Sequence, residues 1–127
     1  MMALFVAGYN KSDPTPAAAT SGCTVSFKGA SIKLATAICT SLLDVEGLTA
    51  IEGGTSDVGL VISRDTNDPS GSSVIFTDSS NDTYVASEGA TSIPTITVSG
   101  KSWTFSGSAM NGAGDTQSIS GTCTCSN

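Results

Sequence analysis

Four cysteines are the residues of this chain best placed to do chemistry, and their spacing decides which chemistry. Cys123 and Cys125 stand on either side of Thr124 near the end, whereas Cys23 and Cys39 lie in the first third. A thiol can act as nucleophile, metal ligand or cross-link. The nucleophile needs a base, and the chain contains no histidine, which removes Cys–His and Ser–His–Asp arrangements together. A zinc site of four cysteines is usually built from paired CxxC knuckles. Here the closest pair is CxC with two scattered companions, so no metal and no other cofactor is expected. Cross-linking remains, and an even count of thiols suits disulfides in an oxidising compartment. Cys123 and Cys125 share one face of an extended strand and point in parallel, which is poor geometry for bonding to each other. Each is expected to reach back to one of Cys23 and Cys39, in either combination. A bridge from Cys39 to the terminal strand closes most of the domain, worth about 4–5 kcal/mol in the chain-entropy picture.

The oxygen-bearing side chains offer less. A carboxylate pair for glycoside hydrolysis could be drawn from Asp44, Glu46, Glu52 or Asp57, but these sit among turns, where solvated surface charge is the commoner use. Asp65, Asn67 and Asp68, or Asp78 and Asp82, could supply oxygens to calcium. Neither group has the spacing of an EF-hand loop. The glycines at Gly53-Gly54 and Gly112–Gly114 are turns, because neither run leads into Lys-Ser/Thr or a helix start. There is no GxSxG elbow. No catalytic residue is assigned, and the chain is not expected to be an enzyme.

The elements that must position the cysteines are strands. At 127 residues the chain is one domain with a modest core. Its net charge of −6 argues against nucleic acid and against a basic membrane-surface patch. Only 13% of the residues are charged, a balance that suits an exported β-protein with many turns. From Val25 to Leu34 a Gly29-Ala30 turn would set Phe27 against Ile32 and Val25 against Leu34. The strand then runs on to about Thr40 and turns near Asp44–Gly47. Strict alternation would leave Cys39 on the face opposite Leu34, so its route to the core requires a bulge. Short strands follow over Leu48–Ile51, Asp57–Ser63 with Val58, Leu60 and Ile62 inward, Ser73–Thr77 and Thr83–Ala86. A loop dense in turn formers fills Arg64–Gly71. A second hairpin is predicted around Gly100-Lys101, pairing Val98 with Trp103 and Ile96 with Phe105 in the core. The last strand, Thr116–Ser126, turns Ile119, Gly121, Cys123 and Cys125 to one side. These strands imply an all-β fold, a mostly antiparallel sandwich or flattened barrel closed by two disulfides.

Ahead of the β domain (23–127) stand two segments of other character. Residues 10–22 (NKSDPTPAAATSG) have the composition of a flexible Pro/Ala/Thr tether, on which Thr15 and Thr20 are candidate O-glycosylation positions. Residues 1–9 begin with a brief apolar run, MMALFVAG, that reads as the tail of a signal segment.

The order of landmarks from Gly29 onward resembles one family. A hairpin is followed by a strand closing in Ile38-Cys39-Thr40, then Thr49–Gly54, then the Asp/Asn/Pro loop at Arg64–Ser70. After these come the Gly100-Lys101 turn, the strand ending Phe105–Met110, and a terminal Thr-Cys-Ser. Over Gly22 to Asn127 this is similar to the LpqH-type mycobacterial 19 kDa lipoprotein antigens. The resemblance implies that Cys39 pairs with Cys125, which leaves Cys23 and Cys123 to form a second bridge. It also implies a lipobox, and Val6-Ala7-Gly8 fits the small-residue triplet. The fourth place is Tyr9, whose phenol cannot replace the thiol that takes the lipid. Membrane anchoring would require Cys at that position. What the resemblance implies for function is an exported, non-catalytic envelope or surface antigen, with adhesion or a host receptor as the partner class. Two alternatives belong to other classes: a lipid or glycolipid carrier with an apolar cavity, and a phage-encoded surface protein that blocks receptors.

Overall fold

Alternation of apolar and polar residues sends every second side chain inward, and in the computed structural model the resulting strands wrap around one core. The structure describes residues 21–52 and 58–126; the signal-like segment, nearly all of the tether and Asp57 lie outside them. Among the described residues ten strands run in chain order: β1 (Gly22–Phe27), β2 (Ala30–Leu34), β3 (Thr36–Leu42), β4 (Val45–Ile51), β5 (Gly59–Asp65), β6 (Ser73–Thr77), β7 (Thr83–Ala86), β8 (Thr95–Ser99), β9 (Ser102–Met110) and β10 (Thr116–Thr124). All strand pairs are antiparallel, in the order β2-β1-β10-β9-β7-β6-β5-β4-β3, with β8 also on β9. The sheet is a nearly closed, barrel-like body, as the alternating pattern predicted.

Two strands turn the corners of the barrel. The long β9 pairs with β8 along Ser102–Ser106 and touches β7 at Met110. On the other side, β2 and β3 occupy opposite ends of the strand order, yet only Ala35 separates them in the chain. The bend at Ala35 answers the difficulty posed by Cys39. It resets the alternation, so that Leu34, Ala37 and Cys39 face the core while Ile38 faces out. A bend rather than a bulge does the work, and β3 continues to Leu42 instead of stopping near Thr40.

Registers agree with the sequence where a turn residue left no choice. Val98 pairs with Trp103 and Ile96 with Phe105, as the Gly100-Lys101 turn required. The first hairpin differs. Its turn is Lys28-Gly29, so Phe27 opposes Ala30 and Val25 opposes Ile32. Both turn residues have positive φ, 52° and 77°, the combination that a type I′ turn needs to match strand twist. The predicted Gly29-Ala30 turn would have placed that strain on one residue only. Similarly, the β3–β4 turn is Leu43-Asp44, and Val45 already pairs with Leu42. The core is filled by side chains from facing walls: the Phe27 ring on β1 lies 5.0 Å from Phe76 on β6 and 4.8 Å from Tyr84 on β7.

Candidate functional site

The only covalent constellation among the described residues is built from the four thiols, and all four are consumed in bridges. β1 and β10 pair so that Cys23 and Cys123 are directly opposite, with Cα atoms 4.0 Å apart, and their sulfurs bond across the ladder. One step past the end of β10, Cys125 reaches across the corner to Cys39 on β3, Cα atoms 5.6 Å apart. Backbone hydrogen bonds hold the tail for this: Cys125 N–H donates to the Lys101 carbonyl and Ser126 N–H to that of Ala37, each at 2.9 Å. The C-terminal strand is thus fixed to β1 by one bridge and to β3 by the other. The pairing implied by the resemblance is the one formed. Cys23, Cys123 and Cys125 are buried and Cys39 is packed against the core.

Asp65, Asp68 and Asp78 are occupied in holding turns. Asp65 Oδ1 accepts from the backbone N–H groups of Asn67 and Asp68, and Asp68 Oδ1 from Ser70 N–H and hydroxyl. Asp78 Oδ1 accepts from Ser80 and Asp82 N–H across the β6–β7 turn. These are the bonds by which Asp favours turns over regular structure. Glu46 pairs with Arg64 at 2.8 Å on neighbouring strands, half-exposed. Asp44 sits against the Asp65 loop, its backbone carbonyl accepting from Thr66 N–H at 2.8 Å and from the Thr66 hydroxyl at 3.0 Å, but no three His, Cys, Asp or Glu residues come together as a metal site among the described residues. Val6, Ala7, Gly8, Tyr9, Thr15 and Thr20 lie outside the described residues.

One polar cluster was not foreseen. Asn111, buried at the start of the β9–β10 loop, donates through Nδ2 to Asp82 (3.1 Å) and to the Tyr84 hydroxyl (3.3 Å). Its Oδ1 accepts from Ala113 and Asp115 N–H. Lys28 completes the group. Its ammonium lies 5.5 Å from the Phe27 ring centre and 5.2 Å from that of Tyr84, and its pKa is raised. The cause is first a hydrogen bond to Tyr84, with added attraction from Tyr84, Asp78 and Asp82. Sequence signalled Asn111 only as a turn former before Gly112. Its partners are 27 and 29 residues away, and no local pattern reveals them. The cluster ties three turns at one end of the barrel; it has the chemistry of a clasp, since every polar atom named has a partner within the chain.

No helix among the described residues is long and apolar enough to cross a membrane, and the disulfides point to an oxidising compartment. Neither the protein-family models nor the curated proteins contain a match to this chain.

Proposed function

We propose that the protein is an exported, non-catalytic envelope or surface module of the LpqH-type lipoprotein class, displayed as a stable β-body and recognised through its surface. The observation that carries this reading is the pair of bridges. They fasten β10 to β1 and to β3, and they leave no thiol for chemistry in a chain that has no histidine. The pattern of landmarks that resembles the LpqH-type antigens supports the same reading, as does the use of carboxylates as turn anchors. Against a lipid carrier stands the filled interior, where Phe27, Phe76 and Tyr84 occupy in mutual contact the space a cargo would need.

The test is localisation with thiol state, in cells that make the protein naturally. Protease applied to intact cells should remove it, and alkylation before lysis should label no thiol until a reductant is added. A protein protected within the cell, with thiols that alkylate freely, overturns the proposal.

A further inference from the structure

The two outer walls of the barrel are chemically unlike. On the wall made by β1, β10, β9 and β8 the outward positions form ladders of hydroxyls: Thr24 opposes Thr122, Thr122 opposes Thr104, and Thr104 opposes Thr97. The wall made by β3 to β7 carries instead one straight row of β-branched residues. Ile38 opposes Thr49, Thr49 opposes Val61, Val61 opposes Ile75, and Ile75 opposes Val85. Ile38 is 51% exposed and Val61 43%; Ile51, one pleat along β4, is 53% exposed. The flanking rows, from Thr36 to Thr83 and from Thr40 to Ser73, add only Thr, Ser and Gly beside Ile51. No charged residue stands in these three rows, although the chain carries a net charge of −6.

We propose that this face is the contact surface of a weak, two-fold symmetric dimer of the chain. The absence of charge selects the occupant. A basic protein, a nucleic acid or an anionic headgroup would find no ion to pair with here, and would leave its own charges desolvated. A second copy brings an equally neutral face. The row also matches itself: a two-fold axis through Val61 lays Ile38 over Val85 of the second copy and Thr49 over its Ile75. With strands about 4.8 Å apart and side chains on one face about 6.8 Å apart, the three rows cover roughly 20 by 15 Å. Even allowing for side-chain relief, that footprint falls short of the ~800 Å² per partner of a standard stable complex, so the association is weak. Its salt dependence is distinctive. Salt screens the repulsion between two acidic bodies and leaves the apolar contact intact, so the dimer tightens as ionic strength rises. This inference does not depend on the function proposed above.

Sedimentation equilibrium of the oxidised chain, from about 10 µM to about 1 mM, reads the weak-affinity range directly. The average mass is expected to climb toward twice the monomer, and more steeply at high salt. Val61→Lys and, separately, Ile38→Lys should each weaken association at least tenfold, while Thr104→Lys on the opposite wall leaves it unchanged. Circular dichroism melts at low concentration check that each variant folds. A monomer at every concentration overturns the proposal, as does association that survives both lysines or that weakens with salt. Co-sedimentation with neutral phosphatidylcholine vesicles, lost in Val61→Lys, would assign the face to lipid and overturn it equally.

Discussion

Asn111 satisfies four polar groups with one buried side chain, the Asp82 carboxylate, the Tyr84 hydroxyl and the N–H groups of Ala113 and Asp115, and its bond to the Tyr84 hydroxyl is itself buried. Buried groups stripped of partners cost far more than the bond was worth net. Asn111→Ala is therefore expected to lower the unfolding free energy by about 3 kcal/mol, read from urea titration. Gly121 is the second sensitive position. A Cβ there would collide with the Thr24 carbonyl oxygen and lie 2.9 Å from the Phe105 ring, which covers this glycine from the neighbouring strand. Because the obstruction includes backbone, Gly121→Ala should cost about 3 kcal/mol despite adding one methyl, visible in the same titration. Lys28 gives a pH signature. Its folded pKa is raised above 10.5, so its contribution is complete at neutral pH and disappears as pH climbs through the folded value. The stability gap between wild type and Lys28→Met should hold constant near pH 7 and narrow above about pH 10.5. These roles differ in how visible they are in sequence. The inward-facing cysteines follow from alternation within β10, whereas the partners of Asn111 and Lys28 are set by which turns meet at one end of the barrel.

Between strands, the two disulfides are not independent. Taken alone, the Cys39–Cys125 bridge closes 86 residues and the Cys23–Cys123 bridge 100, each worth between 4 and 5 kcal/mol, roughly, in the entropy model. Once either exists, the other closes only the stretch from Cys23 to Cys39 and the short one from Cys123 to Cys125. That remaining loop of about 18 residues is worth about 3 kcal/mol. Replacing one pair by serine should therefore cost about 3 kcal/mol whichever pair is chosen, and replacing both about 8 kcal/mol. Calorimetric melts of the three variants test the asymmetry; losses that simply add would refute it. Strand pairing was legible in proportion to turn chemistry. The β8–β9 hairpin has Gly100 at the first turn position, and its register followed directly. The β1–β2 hairpin put positive φ on Lys28, an uncommon residue for it. There the ammonium packed near the Phe27 and Tyr84 rings accompanies the choice, and tertiary contact of that kind has no local signal. The bend at Ala35 escaped for the same reason: no Gly or Pro marks it, and it exists because one chain segment must leave β1 and join β4.

For the molecule as a whole, connectivity dictates how the body assembles. Successive hairpins from β3 to β7 pair neighbours in sequence, and β8 to β10 do likewise, so each group can form locally. Closing the barrel demands β1 against β10, whose paired residues are about 100 positions apart, as Cys23 and Cys123 show. That search is costly in loop entropy and is repaid only late, which places such topologies in the millisecond-to-second range, roughly. With the bridges intact the ends never separate, and the expensive step is already done. Trp103 is the single tryptophan and is buried in the core, so its fluorescence follows completion of that core. Refolding of the oxidised chain by dilution from denaturant should be at least tenfold faster than that of the variant with four serines, with unfolding rates changed far less. The crosslinks act on the unfolded ensemble and on a transition state that must already join the ends. Equal refolding rates would mean that β1 docks after the rate-limiting step, and that the local hairpins, rather than the closure the cysteines secure, set the pace of folding.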